Sequence, residues 1–80
     1  MIYSKIQVQD GKEKNVTIYN LKTVRNALLR GQCCWLMTFN TENSHDEPYM
    51  ELKLSLSTIN NFDKIHCDLI KETENFIVNL

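Results

Sequence analysis

Glycine and proline are scarce in this sequence of 80 residues, which contains two glycines and one proline. This scarcity excludes a long flexible linker and a glycine-rich phosphate-binding loop; Gly11 and Gly31 are explained by a turn and a helix end. The longest wholly apolar run, residues 33–37, is too short for a membrane span or the apolar region of a signal peptide. We therefore expect one domain (residues 1–80) that is cytoplasmic and makes no membrane contact.

Cysteine is also sparse, and three cysteines are an odd number that does not make a disulfide framework. Structural zinc sites take ligands from pairs separated by two to four residues. Here Cys33 adjoins Cys34, and His66 adjoins Cys67, and adjacent residues point in different directions on a strand or a helix. His45 has no nucleophile near it in the sequence. We therefore predict no metal site, no cofactor, no catalytic residues and no enzymatic activity.

The net charge of −1 conceals an uneven distribution. Residues 1–40 carry six basic and two acidic side chains, whereas residues 41–80 carry three basic and eight acidic ones. Such asymmetry indicates either a charged partner surface or two halves of one fold that neutralise each other. The isoelectric point of about 6.1 is low for a nucleic-acid-binding domain.

The first half of the chain has the pattern of a β-hairpin followed by a helix. Apolar and polar residues alternate over residues 2–9 and again over 15–19, which predicts two strands joined by a loop at 10–14. Asn20 is a favourable N-cap, and apolar residues at helical spacing predict a helix over 21–30. Gly31 is a natural terminator of that helix.

The second half begins with two further strand patterns. Residues 33–39 are apolar on both faces, which is typical of a strand covered on both sides. A polar loop over 40–48 precedes a clean alternation over 49–56, in which the apolar residues are expected to face inward: Met50, Leu52, Leu54 and Leu56.

The last segment predicts a helix over residues 60–72, and the tail, residues 75–80, fits either more helix or a fifth strand. The predicted fold class is therefore α+β, with the order ββαββα(β). We expect a two-layer sandwich in which an antiparallel sheet of four or five strands carries two helices on one face.

The uncovered sheet face gives the first candidate site. If Ile6, Trp35 and Leu52 face the helices, the opposite face carries tyrosines and a leucine, a composition enriched at protein interfaces. Acidic residues of the polar loop over 40–48 would pair with basic groups of the partner at the rim of that interface. The predicted partner-binding residues are Tyr3, Tyr19, Leu36, Tyr49, Glu42, Asp46 and Glu47.

At the level of class, a small α+β domain without a catalytic motif resembles the small inhibitors and immunity proteins of phages and mobile elements, anti-CRISPR proteins among them. This resemblance, which rests on size and on the lack of catalytic chemistry, implies a non-enzymatic protein-binding module that masks a partner sterically and electrostatically. A homodimer joined through the same face is a variant of this prediction.

The alternative prediction is a small nucleic-acid-binding regulator that uses the basic first half of the chain. Lysine and arginine at helical spacing can contact successive phosphates. The residues that would do so are Lys12, Lys14, Lys22, Arg25 and Arg30.

Overall fold

The structure is a computed structural model that describes residues 1–9, 20–42 and 47–80, together with the backbone of residues 13–15. Its elements, in chain order, are β1 (Ile2–Val8), β2 (Glu13–Asn15), α1 (Leu21–Leu29), β3 (Cys34–Asn40), β4 (Met50–Lys53), α2 (Leu56–Ile59) and α3 (Phe62–Val78). The predicted α+β class is confirmed.

The antiparallel sheet places β3 between β1 and β4, and the short strand β2 pairs with the outer side of β1. Ile6 lies opposite Leu36, and Leu36 lies opposite Leu52, so these three residues form one row across the sheet. Side chains on such a row share a face. This row faces the helices, because it packs with residues of α1 and α3 in one hydrophobic cluster.

The core lies between that face and the helices. Val24 and Ala27 of α1 and Phe62 and Leu69 of α3 are buried against the sheet, and Ile59 of α2 packs at the edge of the same cluster. Each buried valine, leucine or phenylalanine side chain of this core contributes about 1.5–3 kcal/mol. Since the described helices all pack on this side, none of them covers the opposite face, which is called the open face below.

The predicted facing of β3 is wrong. Leu36 is fully buried under the helices, and Trp35, which was expected to face inward, lies on the open face with 37% of its surface exposed. Thr38 likewise points into the core and not to the open face. Because the strand is apolar on both sides, its alternation does not choose a face, and a shift by one residue exchanges the two sets.

Helix α1 agrees with the prediction in both its position and its ends. The side chain of Asn20 caps the helix, since its Oδ1 accepts a hydrogen bond of 2.9 Å from the backbone N–H of Lys22. At the other end Gly31 has a φ of +83°, a left-handed conformation that glycine adopts without the penalty of a Cβ atom.

The second half departs from the predicted element order. Strand β4 ends at Lys53, because Ser55 and Thr58 form a capping box that starts α2, and Leu56, expected to face inward, is 42% exposed. Helix α3 continues to Val78, so residues 75–78 do not form a fifth strand. The order ββαββα(β), with its four- or five-stranded sandwich, is therefore not confirmed.

The predicted hairpin is formed, and its second strand begins two residues earlier than predicted. Pairing with β1 begins at Glu13, within the predicted loop, and Lys5 lies opposite Asn15. The predicted strand residues 16–19 lie outside the described residues.

Candidate protein-binding surfaces

The open face combines aromatic, apolar and charged side chains from three strands. Its residues follow from the register, in which every second position of each strand faces away from the helices. These are Tyr3, Lys5 and Gln7 of β1, Trp35, Met37 and Phe39 of β3, and Glu51 and Lys53 of β4.

Among the described residues of the open face, Trp35 is the exposed aromatic one. It lies on the central strand, directly between Gln7 of β1 and Lys53 of β4. Its neighbours along β3, Met37 and Phe39, are only 4% exposed, whereas Trp35 is 37% exposed. The sequence pattern does not distinguish Trp35 as a surface residue, because β3 is apolar on both faces.

Tyr3, at the other end of the open face, packs against an aromatic residue of the same chain. Its ring lies on that of Phe39, with 5.3 Å between the centroids and 18° between the planes. The Nζ atom of Lys5 lies 5.3 Å from the Phe39 centroid and 5.9 Å from the Tyr3 centroid. A cation over an aromatic face is stabilising. Phe39 and Lys5 therefore already contact the ring of Tyr3, and part of that ring is not available to a partner.

Tyr49 belongs to a different cluster. Its ring meets that of Phe76 of α3 edge to face, with 6.0 Å between the centroids and 61° between the planes. Its backbone N–H donates a hydrogen bond of 2.8 Å to the carbonyl of Thr38. Tyr49 is thereby anchored at the start of β4 against α3, and the structure does not unite it with Tyr3 in one aromatic surface.

The remaining predicted partner-binding residues divide into three groups. Glu42 and Glu47 are exposed in the connection between β3 and β4. Tyr19 and Asp46 lie outside the described residues. Leu36 is 0% exposed and is wrong as a contact residue, because a side chain at the centre of the core cannot reach a partner.

The basic residues of the alternative prediction meet only in part. Lys22 and Arg25 line a groove of about 610 Å³ between α1 and the junction of α2 and α3, whose other lining residues are Leu21, Asn26, Leu29, Ile59 and Asn60. Arg30 donates a hydrogen bond of 3.2 Å to Oε1 of Gln32. Lys12 lies outside the described residues, and only the backbone of Lys14 is described.

Leu29 is an exposed apolar residue of this groove that is not among the predicted site residues. It is 62% exposed, although it follows the buried Val24 and Ala27 on the same helix. A signal was present, because Leu29 falls outside the stripe of apolar residues at helical spacing that predicts α1.

The histidine and cysteine side chains are dispersed. Cys34 is buried, Cys33 is half-buried and Cys67 is exposed. His66 is half-buried, and its Nε2 lies 2.9 Å from Oγ of Ser4. Burial lowers the pKa of His66 from its ordinary value, and the nearby Asp63 opposes this shift. Among the described residues, no three His, Cys, Asp or Glu side chains are grouped so as to hold a metal ion.

No protein-family model, curated protein or solved structure matches this chain. Within the described ranges, no helix is long and apolar enough to cross a bilayer.

Proposed function

We propose that this chain is a non-enzymatic protein-binding module of the small-inhibitor class, which masks a partner by covering it with the open face. The observation that carries this proposal is the exposure of Trp35 on the open face, where it lies opposite Lys53. Tryptophan is enriched among the few interface residues that supply most of the binding free energy. The proposed main contact residue is therefore Trp35 of β3, in place of the predicted tyrosines.

The surroundings of Trp35 support an interface of mixed character. Lys53, which lies opposite Trp35 on β4, and Glu51, two residues earlier, are both exposed and carry opposite charges. An apolar centre with charged residues at its rim is the usual composition of a protein interface. The partner that fits this surface offers an apolar pocket for the indole and a carboxylate within reach of Lys53.

A capture experiment with matched variants tests the proposal. The tagged chain, Trp35→Ala and Leu29→Ala are each incubated with native host lysate, with and without nuclease, and the retained proteins are identified by mass spectrometry. Leu29→Ala is the control because it also truncates an exposed apolar side chain, but on α1. We expect a stoichiometric protein that resists nuclease, is retained by Leu29→Ala and is lost from Trp35→Ala. A protein retained equally by all three chains would contradict this choice of surface.

The second candidate function is nucleic-acid binding through α1. It is favoured by one observation: Lys22 and Arg25 line the same groove, and no described residue of that lining is acidic. Two phosphate contacts on duplex DNA would give a log–log slope of affinity against salt near −1.8, at about −0.9 per phosphate. Titration of labelled duplex at several salt concentrations measures this slope, and a flat response would exclude the candidate.

A further inference from the structure

The exposed side of α1 carries a stripe that ends in an apolar residue. Lys22, Arg25 and Leu29 are separated by three and four residues, so they lie on one side of the helix, and all three line the groove described above. All three are exposed, Leu29 to 62%. This stripe is called the basic stripe below.

Helix α3 carries a stripe of the opposite charge. Asp68, Glu72 and Phe76 recur every four residues along one side of the helix. Asp68 and Glu72 border a groove of about 250 Å³ whose apolar lining includes Leu52, Ile65 and Leu69. Phe76 is 45% exposed. These three residues, Asp68, Glu72 and Phe76, are called the acidic stripe.

The two stripes have matching composition, and no ion pair between described residues joins one stripe to the other within one molecule. Each consists of two charged residues followed by one exposed apolar residue at a similar spacing. Arg25 and Glu72 form no ion pair with any described residue, and the ion pair recorded for Asp68, at 2.9 Å, is with Lys64 of the same helix. The basic first half and the acidic second half of the sequence thus each present exposed charges on a helix, α1 and α3 respectively.

We propose that the basic stripe binds the acidic stripe of a second copy of this chain. In this contact Arg25 of one copy faces Glu72 of the other. Leu29 meets Phe76, so the exposed apolar residue of each stripe is buried against that of the other. Each copy carries both stripes on helices that pack on the same side of the sheet. In a two-fold dimer the contact is formed twice, once by the basic stripe of each copy. The open face takes no part, so the dimer is independent of the protein-binding function proposed above.

Charge reversal with complementation tests this dimer. Sedimentation velocity over a range of concentrations measures the dimer Kd of the native chain, of Arg25→Glu, of Glu72→Arg, and of an equimolar mixture of these two variants. We expect each variant alone to dimerise about tenfold or more weakly, because both contacts then oppose like charges. The mixture should regain dimer, since a heterodimer of the two variants has opposite charges at both contacts.

Two control variants separate this surface from the others. Lys71→Glu changes the net charge by the same amount as Arg25→Glu, but on an exposed position of α3 that lines neither groove. Trp35→Ala alters the open face. Both should leave the dimer Kd unchanged. A native chain that is monomeric at all concentrations would overturn the proposal, as would a dimer that Arg25→Glu does not weaken or that Trp35→Ala dissociates.

Discussion

The hydroxyl of Thr38, on the central strand, lies 2.7 Å from the hydroxyl of Thr73, on α3, and both residues are fully buried. Thr73 already donates its proton to the carbonyl of Leu69, at 2.8 Å. A hydroxyl has one proton to donate, so Thr38 is the donor in the pair and Thr73 the acceptor. This polar link fixes the position of α3 over β3 within an otherwise apolar core.

The direction of this hydrogen bond predicts unequal effects of two similar substitutions. Thr73→Val removes the acceptor and leaves the buried Thr38 hydroxyl without its partner, which should lower the free energy of unfolding by about 1–3 kcal/mol. Thr38→Val leaves Thr73 donating to Leu69 and should cost about 1 kcal/mol. Urea denaturation measures both values. The double variant should lose less than the two single losses together, and additive losses would contradict the pairing.

The facing of β3 predicts opposite behaviour for neighbouring residues. Leu36→Ala creates a cavity at the centre of the core and should lower the free energy of unfolding by about 2–5 kcal/mol. Trp35→Ala removes a side chain from the open face and leaves no cavity in the core, so it should lower the free energy of unfolding by less than Leu36→Ala does. Denaturation of the two variants in parallel measures the difference. A larger loss for Trp35→Ala than for Leu36→Ala would place the strand the other way round.

His66 predicts a dependence of stability on pH. Burial lowers the pKa of His66 in the folded chain below its ordinary value of 6.5. As the pH falls through that value, the unfolded chain therefore binds more protons than the folded chain does. The free energy of unfolding should therefore decrease from about pH 7.5 to about pH 5.5. His66→Gln keeps a hydrogen-bonding group beside Ser4 without titrating there, so it should flatten this decrease. An unchanged slope in the variant would assign the dependence to other groups.

The three cysteines should differ in their rates of alkylation. Cys67 is exposed, Cys33 is half-buried and Cys34 has no accessible surface. Iodoacetamide followed by peptide mapping should find Cys67 modified first and Cys34 modified only after unfolding, since the reagent must reach the sulfur. Rapid modification of Cys34 in the native chain would contradict the packing of β3 against the helices.

The sequence was sufficient to predict elements whose local signals agree with one another. Helix α1 was predicted because the N-cap at Asn20, the apolar spacing and Gly31 all indicate the same boundaries. Helix α2 was not predicted because the alternation of leucines, typical of a strand, continues through Leu54 and Leu56. The capping box formed by Ser55 and Thr58 lies within this alternation and starts a helix instead. In that segment the cap determined the structure and the hydrophobic period did not.

The candidate site was harder to predict because it depends on the register between strands. Trp35 and Leu36 are both apolar, and only the pairing of Leu36 with Ile6 and Leu52 shows which of them faces the helices. Tyr3 was correctly placed on the open face, but its stacking on Phe39 involves residues distant in the sequence. Such contacts follow from tertiary packing and have no local signature.

Fluorescence of Trp35, the single tryptophan of the chain, tests the central claim most directly. Acrylamide quenching is measured on the free chain and on its complex with the protein captured from lysate. If the open face is the contact surface, Trp35 should be quenched readily in the free chain, and in the complex its quenching should fall and its emission should shift to shorter wavelength. Equal quenching in both states would show that the partner binds elsewhere and would contradict the proposed function.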